Sequence, residues 1–195
     1  MIKIAGIILA AGAGRRMGRA KVLLPYAGHT FVEQAIQSLT RAYGIQSVVV
    51  LDPTAKVFDL AQETVLNYPQ ARVALNPDAE RGMLSSIRRG LDALDDSITH
   101  AALYPVDHPS IRVETIKLLV EQVQRTPDAI VVPSFENHRG HPGIFPRALF
   151  PALHAAPEDE GARAVLREHA SRIEHVVVDD PGTVRDVDTP ADLPE

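Results

Sequence analysis

The sequence predicts an α/β protein, with helices on both faces of a central, mainly parallel sheet. Two observations carry this. Short apolar runs alternate along the chain with stretches whose apolar residues recur at helical spacing, the pattern of right-handed βαβ units. The polar and glycine-bearing clusters also fall directly after strand-like runs, where ligands of such sheets bind. A length of 195 residues fits one domain spanning 1–195.

The elements follow in order. Ile4–Leu9 is short, continuous and Ile-rich, as a strand buried on both faces should be. Residues 10–29 read as a long loop with Gly12, Gly14, Gly18, Gly28 and Pro25. Thr30 and Glu33 form a capping-box pattern. Phe31, Ala35, Ile36, Leu39 and Tyr43 continue it at helical spacing, and Gly44 closes it. Val48–Leu51 reads as the second strand, and Asp52-Pro53 as the cap of a helix over about 54–67. Arg72–Leu75 is a third strand, broken by Asn76-Pro77. A helix after Gly82 turns Ile87, Leu91 and Leu94 inward. Ala101–Val106 is the next strand, and Val113, Ile116, Val120 and Val123 mark a helix before the strand Ala129–Val132. Residues 140–146 read as extended, 147–154 and 161–169 as helical, and His175–Val178 and Arg185–Val187 as short strands.

Composition narrows the function. There is no Cys, which removes disulfides, thiol nucleophiles and thiolate metal sites. A net charge of −5 argues against a general nucleic-acid binder. That charge is segregated. Residues 1–32 hold no acid and five bases (Lys3, Arg15, Arg16, Arg19 and Lys21), while residues 179–195 hold six acids against Arg185 alone. A basic head and an acidic tail suit an anion and its metal, although solvated surface charge is the ordinary fate of such residues. No apolar run approaches the roughly 20 residues of a membrane span. The run Ile4–Ala13 is followed, not preceded, by its basic cluster, the wrong order for a signal peptide. The expectation is a cytoplasmic protein with no membrane partner.

The segment from Leu9 to Lys21 is the most informative. Its glycines let backbone N–H groups approach phosphate oxygens. Arg16 offers a planar fork and Lys21 a point charge for charge-assisted hydrogen bonds. A Walker loop does not fit, because three residues separate Gly14 from Gly18 and Val22 follows Lys21. A dinucleotide fingerprint fits better, with Gly12, Gly14 and Gly18 after one strand and Asp52 after another. That fold begins its helix at the glycines, whereas Pro25 and Gly28 delay the helix here. A loop without a ligand is the plain alternative.

A third reading is a resemblance. Leu9, Ala10, Ala11, Gly12, Gly14, Arg16, Met17, Gly18 and Lys21 match every fixed position of the signature of the MobA-like nucleotidyltransferases, and Leu23-Leu24-Pro25 continues it. Asn76-Pro77 with Gly82-Met83 and Ser86 is similar to the family's second nucleotide-contacting stretch. Asp107-His108-Pro109 resembles its Asp-Gln-Pro element, with His108 in place of Gln. Gly140-His141-Pro142, Glu160-Gly161-Ala162-Arg163 and the closing stretch from Asp186 to Leu193 resemble further elements, closest to the molybdenum cofactor cytidylyltransferase branch. The resemblance implies a three-layer sandwich with a mixed, mainly parallel sheet of the nucleotide-diphospho-sugar transferase type. It implies Mg2+-dependent transfer of a nucleoside monophosphate, CMP from CTP, to the phosphate of molybdopterin. A molybdoenzyme or its chaperone would receive the product.

In that reaction an acceptor phosphate attacks the α-phosphorus and pyrophosphate leaves. The acceptor is already largely ionised, since a phosphate's second pKa is about 6, so catalysis reduces to positioning and charge stabilisation. Arg16 and Lys21 are assigned to the triphosphate. Arg16→Ala should lower turnover by roughly 10²–10³, and a steady-state loss under about threefold would remove Arg16 from the role. The base falls to Leu9, Ala10 and Ala11 and to the loop bearing Asn76, Gly82 and Ser86, while Gly12 and Gly14 complete the nucleotide-binding set. In the family, alanine at the position of Ala11 goes with cytosine and glycine with guanine, and a methyl group narrows the space for a purine. A magnesium ion needs one or two carboxylates, for which Asp107 and Asp188 are the candidates. Taken singly, Asp107 reads as a turn residue and Asp188 as a helix cap; the resemblance gives both to the metal. His141 and Pro142 are expected against the acceptor. His138 and His141 have a spacing that suits zinc but lack a third ligand. Arg81 is a weaker candidate for phosphate, Arg88 and Arg89 read as an exposed helix face, and the tail acids other than Asp188 read as solvated charge. GTP- or UTP-dependent transfer to another small phosphorylated acceptor, an NAD(P)-linked oxidoreductase and a non-catalytic nucleotide- or cofactor-binding module remain the alternatives, since fold alone does not separate them.

Overall fold

The computed structural model describes residues 1–12, 20–188 and 192. In chain order they form β1 (Ile4–Leu9), β2 (Pro25–Tyr26), β3 (His29–Thr30), α1 (Phe31–Arg41), β4 (Gln46–Leu51), α2 (Phe58–Leu66), β5 (Ala71–Leu75), α3 (Met83–Asp92), β6 (His100–Pro105), α4 (Val113–Arg125), β7 (Ile130–Phe135), β8 (His138–Arg139), β9 (Gly143–Pro146), α5 (Phe150–Ala155), α6 (Ala162–Glu168) and β10 (Ile173–Val177). The main sheet runs β10-β7-β9-β6-β1-β4-β5, with β8 paired to β7. Strand β1 is parallel to β4 and β6, β4 to β5, and β10 to β7, whereas β9 is antiparallel to β6 and β7. The sheet is therefore mixed and mainly parallel.

Neighbouring residues of the central strands feed opposite faces. Ile8, Val49 and Tyr104 pack with Phe31, Ile36, Leu39, Ile116 and Val120 of α1 and α4. Ile7, Val50 and Leu103 pack with Leu84, Ile87 and Leu91 of α3, Leu153 of α5 and Val165 of α6. This two-faced burial explains why β1, β4 and β6 read as unbroken apolar runs, while β5 and β10, at the sheet edges, are only partly covered. The capping box at α1 is present: the Glu33 amide donates to Thr30 Oγ1, and the Thr30 amide donates to Glu33 Oε2.

Several local expectations shift. The loop 10–29 contains the start of a hairpin, in which Tyr26 pairs with His29 across Ala27 and Gly28. Both turn residues have positive φ, as a two-residue primed turn requires. The second helix starts at Phe58 and not at 54, because Asp52 Oδ1 accepts from the Thr54 amide and hydroxyl and closes a local turn first. Leu94 lies past the end of α3. Residues 185–187 form no strand; the Val187 amide donates a single bond, 2.8 Å, to the Asp107 carbonyl.

The tail also departs from solvated charge at Asp180, which is buried. Its Oδ2 accepts from the Arg112 amide at 2.9 Å and from Thr115 Oγ1 at 2.6 Å, and its Oδ1 accepts from the Gly182 amide at 3.0 Å. Asp180 thus caps α4 from about 70 residues away, where a carboxylate also favours the helix dipole. The turn it anchors is pressed tightly against its surroundings. A Cβ on Gly182 would lie 2.6 Å from the Ser110 carbonyl oxygen, and one on Gly140 would lie 2.6 Å from that of Thr183. Asp180→Ala strands three donors, two of them buried, and should cost about 2–4 kcal/mol. Thermal unfolding should read this as a fall of roughly 5–15 °C in Tm.

Candidate functional site

Every candidate residue that the structure describes sits at or beside one edge of the sheet. The carboxyl ends of β1, β5 and β6 lead into Ala10, Asn76 and Asp107, and the antiparallel β9 begins at that edge, just after His141 and Pro142. The sheet order changes direction at β1 and β6, because the chain passes from β1 to β4 and β5 and then crosses back to β6 on the other side. A crevice forms at such a switch point.

Lys21 begins a short 3-10 turn whose neighbours Val22 and Leu24 are buried in the α1 face of the core, so its backbone is held firmly. Its Nζ donates to Asp107 Oδ2 at 3.0 Å and to Asp188 Oδ1. The side chains of Lys21, Asp107 and Asp188 are 13, 27 and 30% exposed, a setting in which charges interact more strongly than on open surface. Burial by itself lowers the Lys21 pKa, but the hydrogen bonds and charges of Asp188 and Asp107 outweigh it and raise the pKa above the ordinary lysine value. The side chain is therefore a fixed cation.

Asp188 reaches this place through Val187, which is buried and bonded to the Asp107 carbonyl. Its two flanking residues, Asp186 and Asp188, both come to the Asp107 carboxylate. Asp107, Asp186 and Asp188 each offer an oxygen within 4.8 Å of the others, the one group of three His, Asp or Glu residues with such spacing among the described residues. Asp186 was expected to be solvated charge and joins the site instead. One signal pointed to it, its position two residues from Asp188. An all-oxygen donor set suits a hard divalent cation such as Mg2+ or Mn2+. The donors present thus fit such an ion. The spacing of His138 and His141 is not repeated in space as a metal group, and His138 lies exposed on β8.

On the nucleotide side the structure divides the candidates. Leu9, Ala10 and Ala11 are buried. The Leu9 carbonyl accepts from the Val106 amide and the Ala10 amide donates to the Val50 carbonyl, so the sheet engages those groups. Ala11 packs in the cluster that holds Leu84, and its methyl takes up room between β1 and α3. Gly12 is the last described residue before the gap; Gly14 and Arg16 lie outside the described residues. Asn76 is fully buried, and its Nδ2 donates to Ser85 and Ser86 Oγ, each at 2.9 Å, while its Oδ1 accepts from the Asp78 amide. The side chains of Asn76 and Ser86 therefore organise the loop between β5 and α3. Gly82, with φ +96°, turns that loop into α3, a conformation that glycine adopts without strain. Arg81 pairs with Glu158, which also takes Arg88 at 3.3 Å. Arg81 thus ties this loop to the loop before α6. Arg88 is half-buried and Arg89 pairs with Asp78 at 3.0 Å.

On the other side of Asp107, His108 is buried and its Nδ1 lies 3.1 Å from the Gly182 carbonyl. A carbonyl only accepts, so Nδ1 carries the proton. The His141 ring lies 4.9 Å from the His108 ring, and its amide donates to the Thr183 carbonyl. The Asp180 turn therefore braces the His108 ring and the His141 backbone. Burial, then the neighbouring His108, push the His141 pKa down to about 4. His141 is neutral at pH 7 and presents a hydrogen-bonding wall without charge beside the carboxylates. A histidine held neutral by the fold costs stability once the unfolded chain protonates. Between pH 6.5 and pH 4 the fold should lose up to about 3 kcal/mol on this account. His141→Gln should remove that loss in denaturant titrations at pH 7 and pH 4.5.

Sheet order and clustered charge define an α/β protein with its polar site at the strand ends, where such folds bind ligands. The sequence pattern of the MobA-like NTP transferase domain matches residues 6–173, and the chain belongs to that family. It is 34% identical over 193 residues to the nicotine blue oxidoreductase of Paenarthrobacter nicotinovorans, a match covering 95% of this chain and 92% of the relative. It is 31% identical over 135 residues to a probable molybdenum cofactor guanylyltransferase of Bacillus cereus (strain Q1), covering 67% of this chain and 62% of that protein. Among solved structures, Rv0371c of Mycobacterium tuberculosis H37Rv superposes with a TM-score of 0.81 at 24% identity, covering 98% and 96% of the two chains. A manganese complex of that protein superposes at 0.70, with 23% identity and coverage of 91% and 88%. No helix among the described residues is long and apolar enough to cross a membrane.

Proposed function

We propose that the protein transfers a nucleoside monophosphate from a nucleoside triphosphate to the phosphate of a small acceptor of the molybdopterin type, with a divalent metal, Mg2+ in the cell, and release of pyrophosphate. The observation that carries this is the meeting of Lys21 with Asp107 and Asp188 at the mouth of the crevice, directly after the glycine-rich segment. Asp107 and Asp188, with Asp186, would hold the metal, which supplies charge neutralisation at the phosphates. Lys21 and Arg16 hold the triphosphate, and the segment from Leu9 through Gly14 with the loop organised by Asn76, Gly82 and Ser86 holds the base. The neutral His141 and the adjacent Pro142 face the acceptor. The chemistry asks only that acceptor oxygen and α-phosphorus be held in line, with charge countered as the leaving pyrophosphate gains it.

Two observations bear on the base. The buried methyl of Ala11 supports cytosine by reducing space beside β1. The guanylyltransferase relatives, related over two thirds of this chain, support guanine. Pyrophosphate release from CTP, GTP, UTP and ATP with molybdopterin and Mg2+ decides between them. The cytidine reading requires CTP to exceed GTP by about tenfold or more in kcat/KM, which is about 1.4 kcal/mol of discrimination.

A second reading is favoured by the 34% identity to an oxidoreductase along nearly the whole chain. Under it, the same crevice takes a nicotinamide dinucleotide. Oxidation of NADH or NADPH with an aromatic acceptor, together with no pyrophosphate release from any triphosphate, would replace the transferase by this reading. Tight nucleotide binding with neither reaction, once the acceptor is supplied, would leave a binding module.

A further inference from the structure

Lys21, assigned above to the triphosphate, is held by carboxylates in this structure. Its ammonium stands between the carboxylates of Asp107 and Asp188, the groups a metal would use. Asp186 completes the acidic set within 4.8 Å. Lys21 is anchored at its backbone by Val22 and Leu24, but four rotatable carbons separate that anchor from Nζ. The head can therefore move while the base of the side chain stays put.

We propose, resting on the nucleotidyl-transfer reading above, that Lys21 is the resident counter-ion of a three-carboxylate cation site, and that metal and triphosphate load as a unit because the triphosphate draws the ammonium off Asp107 and Asp188. The charges require such coupling. A divalent cation entering alone meets the Lys21 ammonium at two of its ligands. A triphosphate entering alone brings its negative charge to three carboxylates. When both enter, Lys21 exchanges carboxylate oxygens for phosphate oxygens and gives up its bonds to Asp107 and Asp188, whose oxygens can then turn to the cation. Each ligand then strengthens the other, and by linkage the factor is the same in both directions. The arrangement keeps the carboxylates compensated between turnovers and disfavours a stray cation without nucleotide.

The test is Mn2+ binding, read by the loss of the free-ion electron paramagnetic resonance signal, with and without α,β-methylene CTP or α,β-methylene GTP. Wild-type protein should bind Mn2+ at least about tenfold more tightly when the analogue is present. Without nucleotide, Lys21→Met should bind Mn2+ at least about tenfold more tightly than wild type, whereas Lys21→Arg, which keeps the charge, should stay near wild type. Asp186→Asn should weaken binding in the Lys21→Met background. Circular dichroism confirms that each variant is folded, and Lys21→Gln replaces Lys21→Met if the latter is not. If folded Lys21→Met or Lys21→Gln binds Mn2+ no more tightly than wild type, the counter-ion role is overturned while the transferase reading stands. If the wild type binds no Mn2+ even with either analogue, the transferase reading falls and takes this inference with it.

Discussion

Lys21→Ala should lower pyrophosphate release at saturating triphosphate by roughly 10²–10³, about 2.7–4 kcal/mol of lost transition-state stabilisation. The size follows from the setting of the ammonium. It is a held, partly buried cation with its pKa pushed up by two carboxylates, so it is charged across the neutral range in which the acceptor phosphate ionises. Leaving charge develops on the phosphate chain, and a preorganised cation in a partly dry crevice counters it better than water does. The effect should fall on kcat more than on KM, since the group is needed most as charge builds. The fold should survive, because the core contacts of this segment belong to Val22 and Leu24. Single-turnover rates at saturating nucleotide and Mg2+ would check it; a fall of less than threefold would remove Lys21 from the chemistry.

Asp107→Asn should cost as much or more, several kcal/mol and on the order of 10³ in rate. Asparagine keeps the shape of Asp107, and its carbonyl can still hold the Val187 amide, so Asp186 and Asp188 remain in place. What is lost is one of the charges that seat Lys21 and that would bind the cation. Steady-state assays over a range of Mg2+ and Mn2+ should show a higher metal requirement together with a lower ceiling. Wild-type turnover at ordinary Mg2+ would show that Asp107 is only the turn residue its neighbour Pro109 suggests.

The two variants probe opposite partners of one contact, and the double variant should be far from additive. With Lys21 gone, Asp107 loses its ammonium; with Asp107 neutral, Lys21 keeps only the Asp188 side of its pair. Residues that share one hydrogen-bonded network couple in this way.

The sheet was legible because its central strands are buried on both faces, and unbroken apolar runs such as Ile4–Leu9 have few other uses. The α1 cap was legible because Thr30 and Glu33 act through local bonds. The error at α2 was local too, since Asp52 can close a turn or cap a helix and nothing upstream chooses between them. Asp107, Asp188 and Lys21 were named from motif resemblance. Asp186 was passed over because its neighbour Asp188 carried the motif, and nothing local distinguishes a carboxylate beside a metal site from one in water. The Arg81 ion pair was not legible for a similar reason: its partner Glu158 comes from a loop 77 residues away.

The sequence by itself determined the βαβ order, the buried central strands, the place of the glycine-rich segment after β1 and the basic and acidic ends of the chain. All of these rest on residue type and short-range spacing. Only the tertiary structure decided that the acidic end returns to the basic one. Burial of Val187 and a single backbone bond to Asp107 bring Asp186 and Asp188 across 167 residues to Lys21. The antiparallel insertion of β9, which starts His141 at the same edge, and the buried carboxylate of Asp180, which braces both histidines, were likewise settled by packing. Long-range burial and backbone pairing leave no periodic trace in the chain, and they fixed which charges meet.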